Sequence, residues 1–343
     1  MGIILFRALA EISMTKPFEQ SEAGDSSISV ALCTYNGARY LGEQLASIAA
    51  QTRKPSELVA CDDGSSDETI ALLEQFSSQV DYPVRIVRNQ RKLGSTKNFE
   101  QAIGLCRGEF IALSDQDDWW NPKKLDTMVR ALQQHSAGGV FSEGALMDEN
   151  SRLTGGTLWG TNLFEEPDTV FNARPRDHAI SELLKRNLVT GAALMFRADL
   201  RAALMPVPDE WVHDGWIAWM IVLHSRLIAC SQPLIRYRIH SAQQVGMVGR
   251  SWVDRLRRAR ETGSVNYRQL ERQFQVLHDY AQSHADVCGP DECERIEAKR
   301  RHSQFRAELS ANRLRRLLRI AVQSSAYRLY AQGYLSMIKD ALA

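Results

Sequence analysis

Apolar residues in this chain gather into short runs, with longer amphipathic stretches between them. Residues 28–34, 57–62, 84–89 and 109–114 are such runs, bounded by Asp, Asn, Gly or Ser as strands buried on both faces are. Between them, residues 38–51 place Leu41, Leu45, Ile48 and Ala49 on one helical stripe. Residues 66–78 do the same with Ile70, Leu73 and Phe76, and 96–106 with Phe99, Ile103 and Cys106. Strand and helix alternating in this way predict an α/β unit built on a parallel sheet with helices on both faces.

The pattern continues past Asn121-Pro122, a turn and helix start, into a helix over 122–135 and a strand over 138–147. Residues 148–187 carry little periodicity and many Gly, Pro and Asp, which predicts a long loop with short irregular elements. A strand-like run at 188–197 and a helix over 210–224 follow, and from about 249 the chain reads as Arg-rich helix with Pro290 as its one proline. Residues 1–26 read as a flexible leader, since the apolar start is interrupted by Arg7 and Glu11 and lacks a signal-peptide layout. The organisation expected is therefore a leader at 1–26, an α/β domain at 27–248 and a basic helical region at 249–343.

Charge sharpens that division. The 343 residues hold 42 Lys+Arg and 41 Asp+Glu, a net charge of +1 that excludes the single-sign field of a dedicated nucleic-acid binder. Yet residues 250–343 contain 18 basic and 11 acidic residues, net +7, which leaves net −6 for the rest. The six cysteines form no CxxC pair and several sit in apolar runs, as in a reducing, cytoplasmic protein.

The strongest chemical signal is Ser114-Asp115-Gln116-Asp117-Asp118-Trp119-Trp120, which leaves the carboxyl end of a buried strand, the edge where open α/β sheets bind ligands. In extended backbone Asp115 and Asp117 point the same way and can converge on one cation, while Asp118 faces elsewhere. Paired carboxylates without cysteine suit Mg²⁺ or Mn²⁺, although an acidic loop capping the next helix would look similar. A second cluster, Asp62-Asp63-Gly64-Ser65-Ser66-Asp67, also follows a strand. Asp67 there reads as a structural cap, whereas two Asp residues before the glycine exceed what a turn needs. Thr34 and Asn36 leave the first strand at the same edge, in a stretch that is neither a dinucleotide fingerprint nor a P-loop, which argues against a dehydrogenase or a kinase-like NTPase.

Val30-Ala31-Leu32-Cys33-Thr34-Tyr35-Asn36-Gly37, Gln51-Thr52, the Asp62 to Asp67 cluster, Asn98, Asp115 and Asp117, and Pro122 with Lys124-Leu125 together resemble the nucleotide-binding half of a family 2 glycosyltransferase with the GT-A fold. The resemblance runs on through Thr190-Gly191 and His213-Asp214 to Tyr237-Arg238-Ile239-His240, and so covers about residues 27–245. Within the family the Ser-Asp-Gln-Asp-Asp run and the late Tyr-Arg-x-His are most similar to bacterial rhamnosyltransferases of O-antigen and other surface-polysaccharide synthesis. The resemblance implies a Rossmann-like, mainly parallel sheet flanked by helices, here with a C-terminal helical extension. It implies Thr34, Asn36, Asp62, Asp63 and Asp115 at the nucleotide, with Asp63 accepting from the base. It places Asp115, Asp117 and His240 at a Mn²⁺ or Mg²⁺ ion, Asp214 as the catalytic base, and Arg238, Trp119 and Trp120 near the diphosphate or acceptor. At least one of the two tryptophans is expected to be buried against the sheet instead. His213 stands where the family commonly has Glu. The Gln-x-x-Arg-Trp motif of processive members is missing, so single-sugar transfer is expected.

The implied reaction is inverting transfer of one sugar, rhamnose from dTDP-rhamnose being the donor the resemblance favours, to a saccharide or lipid-linked saccharide. The alternatives are a hexosyltransferase of the same fold using a UDP-sugar, and a non-catalytic nucleotide-sugar-binding scaffold. No nucleic-acid partner is expected. The basic C-terminal helices suit either peripheral contact with the inner face of a membrane or packing on the catalytic domain with their arginines solvated. The sequence favours the second.

Overall fold

The computed structural model describes residues 26–161, 171–172, 176–240 and 252–342. The leader expected at 1–26 therefore lies, except for Ser26, outside the described residues, as does part of the 148–187 loop. Four strands, β1 (Ile28–Thr34), β2 (Glu57–Asp62), β3 (Val84–Arg88) and β4 (Phe110–Ser114), pair in parallel in the order β3-β2-β1-β4. Helices α1 (Ala38–Ala49), α2 (Thr69–Ser77) and α3 (Ser95–Leu105) make the crossovers. β1, β2 and β4 are buried at every position, as their unbroken apolar runs require.

The second half of the sheet is mixed. After the two-residue strand β5 (Trp119–Trp120) and helix α4 (Lys124–Gln134) come β6 (Gly139–Met147), β7 (Leu153–Thr157), β8 (Leu194–Arg197) and β9 (Leu227–Arg238). β8 is antiparallel to both β4 and β6, β9 runs parallel to β6, and β5 closes the path antiparallel to β9. The resulting order is β3-β2-β1-β4-β8-β6-β9-β5, with β7 on β6. The sheet is mainly parallel, as expected, but its second half is not.

Two expectations need correction. Residues 148–187 contain the strand β7 and a ten-residue helix, α5 (Arg176–Lys185), whose Ala179, Ile180, Leu183 and Leu184 are buried. In 188–197 only the last four residues are strand, because Gly191–Ala193 coil into a 3₁₀ turn. Helix α6 (His213–His224) is apolar almost all round and runs through the core.

Helices α7 (Trp252–Ser283) and α8 (Pro290–Ala307) pack as a pair against α5 and α6. Trp211, just ahead of α6, stacks edge-on with Phe274 at 5.8 Å and donates from Nε1 to the Gln273 carbonyl at 3.0 Å. His224 Nε2 lies 2.6 Å from the Tyr280 hydroxyl, and Arg176 is 2.8 Å from Glu292. Three short helices, α9 (Arg313–Val322), α10 (Ser324–Tyr330) and α11 (Tyr334–Leu342), end the description. They share a small separate core of Ile320, Tyr327 and Ala331 backed by Phe305 and Met337.

Candidate active site

The carboxyl ends of β1, β2 and β4, the start of α6 and the end of β9 surround one cavity of about 600 Å³. Thr34, Asn36, Asp63, Asp115, Asp117, Asp214 and His240 all line it. Residues up to 206 positions apart in sequence thus meet because parallel crossovers return every strand end to the same edge.

The acidic loop after β4 is pinned from both sides. Gln116 Oε1 accepts from the Tyr35 N–H at 2.8 Å and its Nε2 donates to the Tyr35 carbonyl at 3.1 Å, which ties the loop to the exit of β1. Residue 37 is glycine for a matching reason, since a Cβ there would stand 2.1 Å from Gln116 Oε1. Asp118 turns inward as expected and is fully buried, its Oδ1 accepting from the Arg238 N–H at 3.0 Å. His240 Nε2 lies 2.7 Å from Asp117 Oδ2, with Tyr40 tilted against its ring at 4.8 Å.

Burial, reinforced by the carboxylates of Asp117 and Asp214, pushes Asp115 up to about 7. Burial also pushes Asp214 up to about 6, although hydrogen bonds from the Gly215 N–H at 2.6 Å and Asn187 Nδ2 at 3.2 Å oppose the rise. Lys124 is buried beside these acids, and burial drives its amine well below the usual lysine range. Its Nζ donates to the Ala192 carbonyl at 2.6 Å and sits 3.5 Å above the Trp120 ring. The cleft therefore gathers more negative charge than its own groups offset. Among the described residues no three His, Cys, Asp or Glu side chains converge to hold a metal by themselves. Asp117 Oδ2 and His240 Nε2 lie 2.7 Å apart in a cavity that Asp115 also lines, and these are donor types that Mg²⁺ and Mn²⁺ accept where water or phosphate oxygens fill the other positions.

At the β2 end of the cavity, Asp63 is held by three donors. Its Oδ1 accepts from Asn89 Nδ2 at 2.9 Å and the Leu93 N–H at 2.6 Å, and its Oδ2 accepts from the Gly94 N–H at 2.9 Å. A carboxylate has about four acceptor positions, so one remains for a ligand N–H. Asn36 adopts a left-handed conformation, φ 47°, and its Oδ1 accepts from the Ser66 N–H at 2.9 Å. Asp67 accepts from the N–H groups of Thr69 and Ala38 at 3.1 and 3.0 Å, so it holds the first residue of α2 from one position ahead of the cap, which is Glu68 rather than Asp67, and joins α2 to α1.

Four residues expected at the ligand do not reach the cavity. Asp62 is fully buried and acts as a bracket, its Oδ2 accepting from Thr34 Oγ1 at 2.9 Å and Ser65 Oγ at 2.5 Å while its Oδ1 accepts from the Ser65 N–H at 2.8 Å. Arg238 is also fully buried, with its guanidinium on Glu43 at 2.6 Å, the Asp117 carbonyl at 2.7 Å and Ser151 Oγ at 2.8 Å, so it shapes the acidic loop from behind the cavity lining. Trp120 lies buried under Lys124, and Trp119 is covered by the Arg236 guanidinium at 4.0 Å. Conversely, Asn187, Gln116 and Tyr237 line the cavity without having been singled out. Only the proximity of Gln116 to the acidic pair could have flagged one of them. His213 also lines it, stacked on Phe99 at 4.1 Å and 2.9 Å from where a Cβ on Gly191 would stand. Burial lowers its imidazole to about 3, so it is an uncharged neighbour of Asp214.

Residues 29–183, a little under half of the chain, match the family model described as glycosyl transferase family 2. An uncharacterized glycosyltransferase of Nostoc sp. is 28% identical over 227 residues, which are 63% of this chain and 65% of that relative. The chain thus spans just under two thirds of the relative's length. Among solved structures, S. aureus TarS in complex with UDP-GlcNAc superposes with a TM-score of 0.58 at 16% identity, covering 92% of this chain and 88% of that one. The mannosyltransferase PcManGT from Pyrobaculum calidifontis, in complex with GDP-Man and Mn²⁺, gives 0.51 at 18% identity, covering 92% and 86%. The fold is GT-A, with a helical region following it.

Proposed function

We infer that this chain is a metal-dependent glycosyltransferase that moves one sugar from a nucleotide-diphosphate donor to a saccharide or lipid-linked saccharide, with inversion at the anomeric carbon. The observation that carries the reading is the meeting of Asp63, the Asp115, Asp117 and His240 group, and Asp214 in one cleft at the carboxyl edge of the sheet. Asp63 offers its remaining acceptor position to a base N–H. Asp117 and His240, with Asp115 beside them, would hold the divalent ion, which when bound neutralises charge on a leaving diphosphate. Asp214, ionised above about pH 6, takes the proton of the attacking hydroxyl. Attack assisted by a single base on the face opposite the leaving group gives inversion. dTDP-rhamnose is the proposed donor and a UDP-sugar the alternative. A scaffold role would be favoured by Asp214 facing away from the acids, and it lines the same cavity.

The test is thermal shift against a panel of dTDP- and UDP-sugars, with Mn²⁺ and then with EDTA, followed by transfer assays with the donor that binds. A ligand that binds only the folded chain raises its melting temperature, by mass action. A Mn²⁺-dependent shift is expected with one nucleotide class, lost in Asp117→Ala and kept in Asp214→Asn, which should bind donor yet transfer at least about a hundredfold more slowly. A shift unchanged by EDTA would remove the metal from the proposal, and no shift with any nucleotide sugar would remove the donor.

A further inference from the structure

The described residues expose ten large apolar side chains, and nine of them lie between Leu314 and Leu342. The sequence left the basic helices to meet a membrane or to pack with their arginines solvated, and in the last three helices apolar side chains face outward beside exposed arginines. In α9 a 100° step per residue puts Leu314, Leu317, Leu318 and Val322 on one face, and that face points outward, 49–81% exposed. Ile320 alone packs inward, at 3% exposure. The arginines on the inner side are occupied: Arg316 Nε donates to the Ser310 carbonyl and Arg319 to the Glu308 carbonyl, both at 2.7 Å. Arg313 and Arg315 flank the apolar face and are exposed. Helix α11 repeats the arrangement, with Leu335 and Ile338 56% and 55% exposed while Met337 joins the small core.

We propose that this outward apolar face is a docking surface for an anionic phospholipid bilayer. Exposed apolar area of this extent marks an interaction site, and charge decides which. Residues 311–342 hold six Lys+Arg and one acid, Asp340, which is 2% exposed and ion-paired with Arg306 at 2.7 Å. A second copy of the chain would bring the same arginines face to face across a two-fold axis. A bilayer carrying negative headgroups accepts the leucines and the arginines together, at the depth where interfacial helices lie. No described helix is long and apolar enough to cross a membrane, so the contact is peripheral. The surface stands apart from the cleft chemistry, and its test does not depend on it.

The experiment is flotation of the full chain with phosphatidylcholine vesicles and with vesicles of phosphatidylcholine mixed with phosphatidylglycerol. The chain should float with the anionic vesicles only, and less so as salt rises. Leu317→Ser with Leu318→Ser should weaken partition by about tenfold or more. Arg313→Gln and Arg315→Gln should each weaken it by about fivefold. Both sets alter exposed side chains, and retention of the wild-type melting temperature verifies that they fold. Failure of the wild type to float, or flotation unchanged by the leucine pair, overturns the proposal. So does a concentration-dependent doubling of mass in lipid-free buffer without flotation, which would give the face to a second copy.

Discussion

At the residue scale, Asp115 and Asp214 are two acids of the cleft that burial pushes up, to about 7 and about 6. For Asp214 this sets a limit on the acid side: transfer should fall as pH drops below about 6, roughly tenfold per unit, because only the ionised carboxylate removes a proton. A kcat profile from pH 5 to 8 checks it, and a flat profile would take the base role from Asp214. The same shifts act on stability with the opposite sense from an ordinary ion-paired acid. Each of these carboxyls binds its proton more tightly folded than unfolded, so the metal-free fold gains stability as pH falls from about 8 toward about 5. Melting in EDTA should therefore rise by roughly 2–4 °C per kcal/mol gained over that range. Mn²⁺ should flatten the curve, as should Asp115→Asn. The acidic pair was legible in the sequence because acids after a buried strand stand out, whereas Asp214, in the first turn of α6, was reached only through the family resemblance. The partners that tune them were not, since Asn187 and Asp214 are 27 positions apart and nothing local marks the pairing.

Asp62 and Arg238 show how elements are fastened so that those residues meet. Asp62 joins the end of β2 to β1 through Thr34 and to the following turn through Ser65. Asp62→Ala leaves those buried donors without partners and should cost about 2–4 kcal/mol in urea unfolding. Arg238, at the end of β9, grips α1 through Glu43 and the acidic loop through the Asp117 carbonyl. Arg238→Met strands the carboxylate and the carbonyl, and should lower stability by about 3–5 kcal/mol while weakening Mn²⁺-dependent nucleotide binding. Sequence periodicity found β1 to β4 and α1 to α4 because each is long enough to repeat its pattern. It missed β5, which has only two residues, and the full extent of β9, where Ser231-Gln232-Pro233 interrupts the apolar run at a register irregularity against β6. Arg238 was placed near the diphosphate by the family resemblance, because nothing in its local sequence marks Glu43 and Ser151 as its partners.

Over the whole molecule, the terminal helices hang on one buried ion pair. Arg306 of α8 binds both oxygens of Asp340 in α11, at 2.7 and 2.9 Å, and the hydroxyls of Tyr267 and Tyr327 donate to the same carboxylate at 2.6 and 2.7 Å. Desolvation is the largest influence on Asp340 and works against its charge, but the bond and charge of Arg306 together with the hydrogen bonds from Tyr267 and Tyr327 outweigh it and hold the carboxyl below the usual range. Asp340→Ala should leave the guanidinium buried without its partner, loosen α9 to α11 at a cost of about 3–5 kcal/mol, and spare nucleotide binding in the cleft. Limited proteolysis cutting first beyond residue 307 would register that loosening. The sheet itself ends well away from such hazards. β3, one end of the strand path, carries Arg85, which reaches back over the sheet to the Leu105 carbonyl at 3.0 Å, and Arg88, which is exposed. β5, the other end, is two residues long. A foreign strand arriving at either margin finds charge or too little backbone to add to, so the two ends of this path are poor templates for amyloid-like growth.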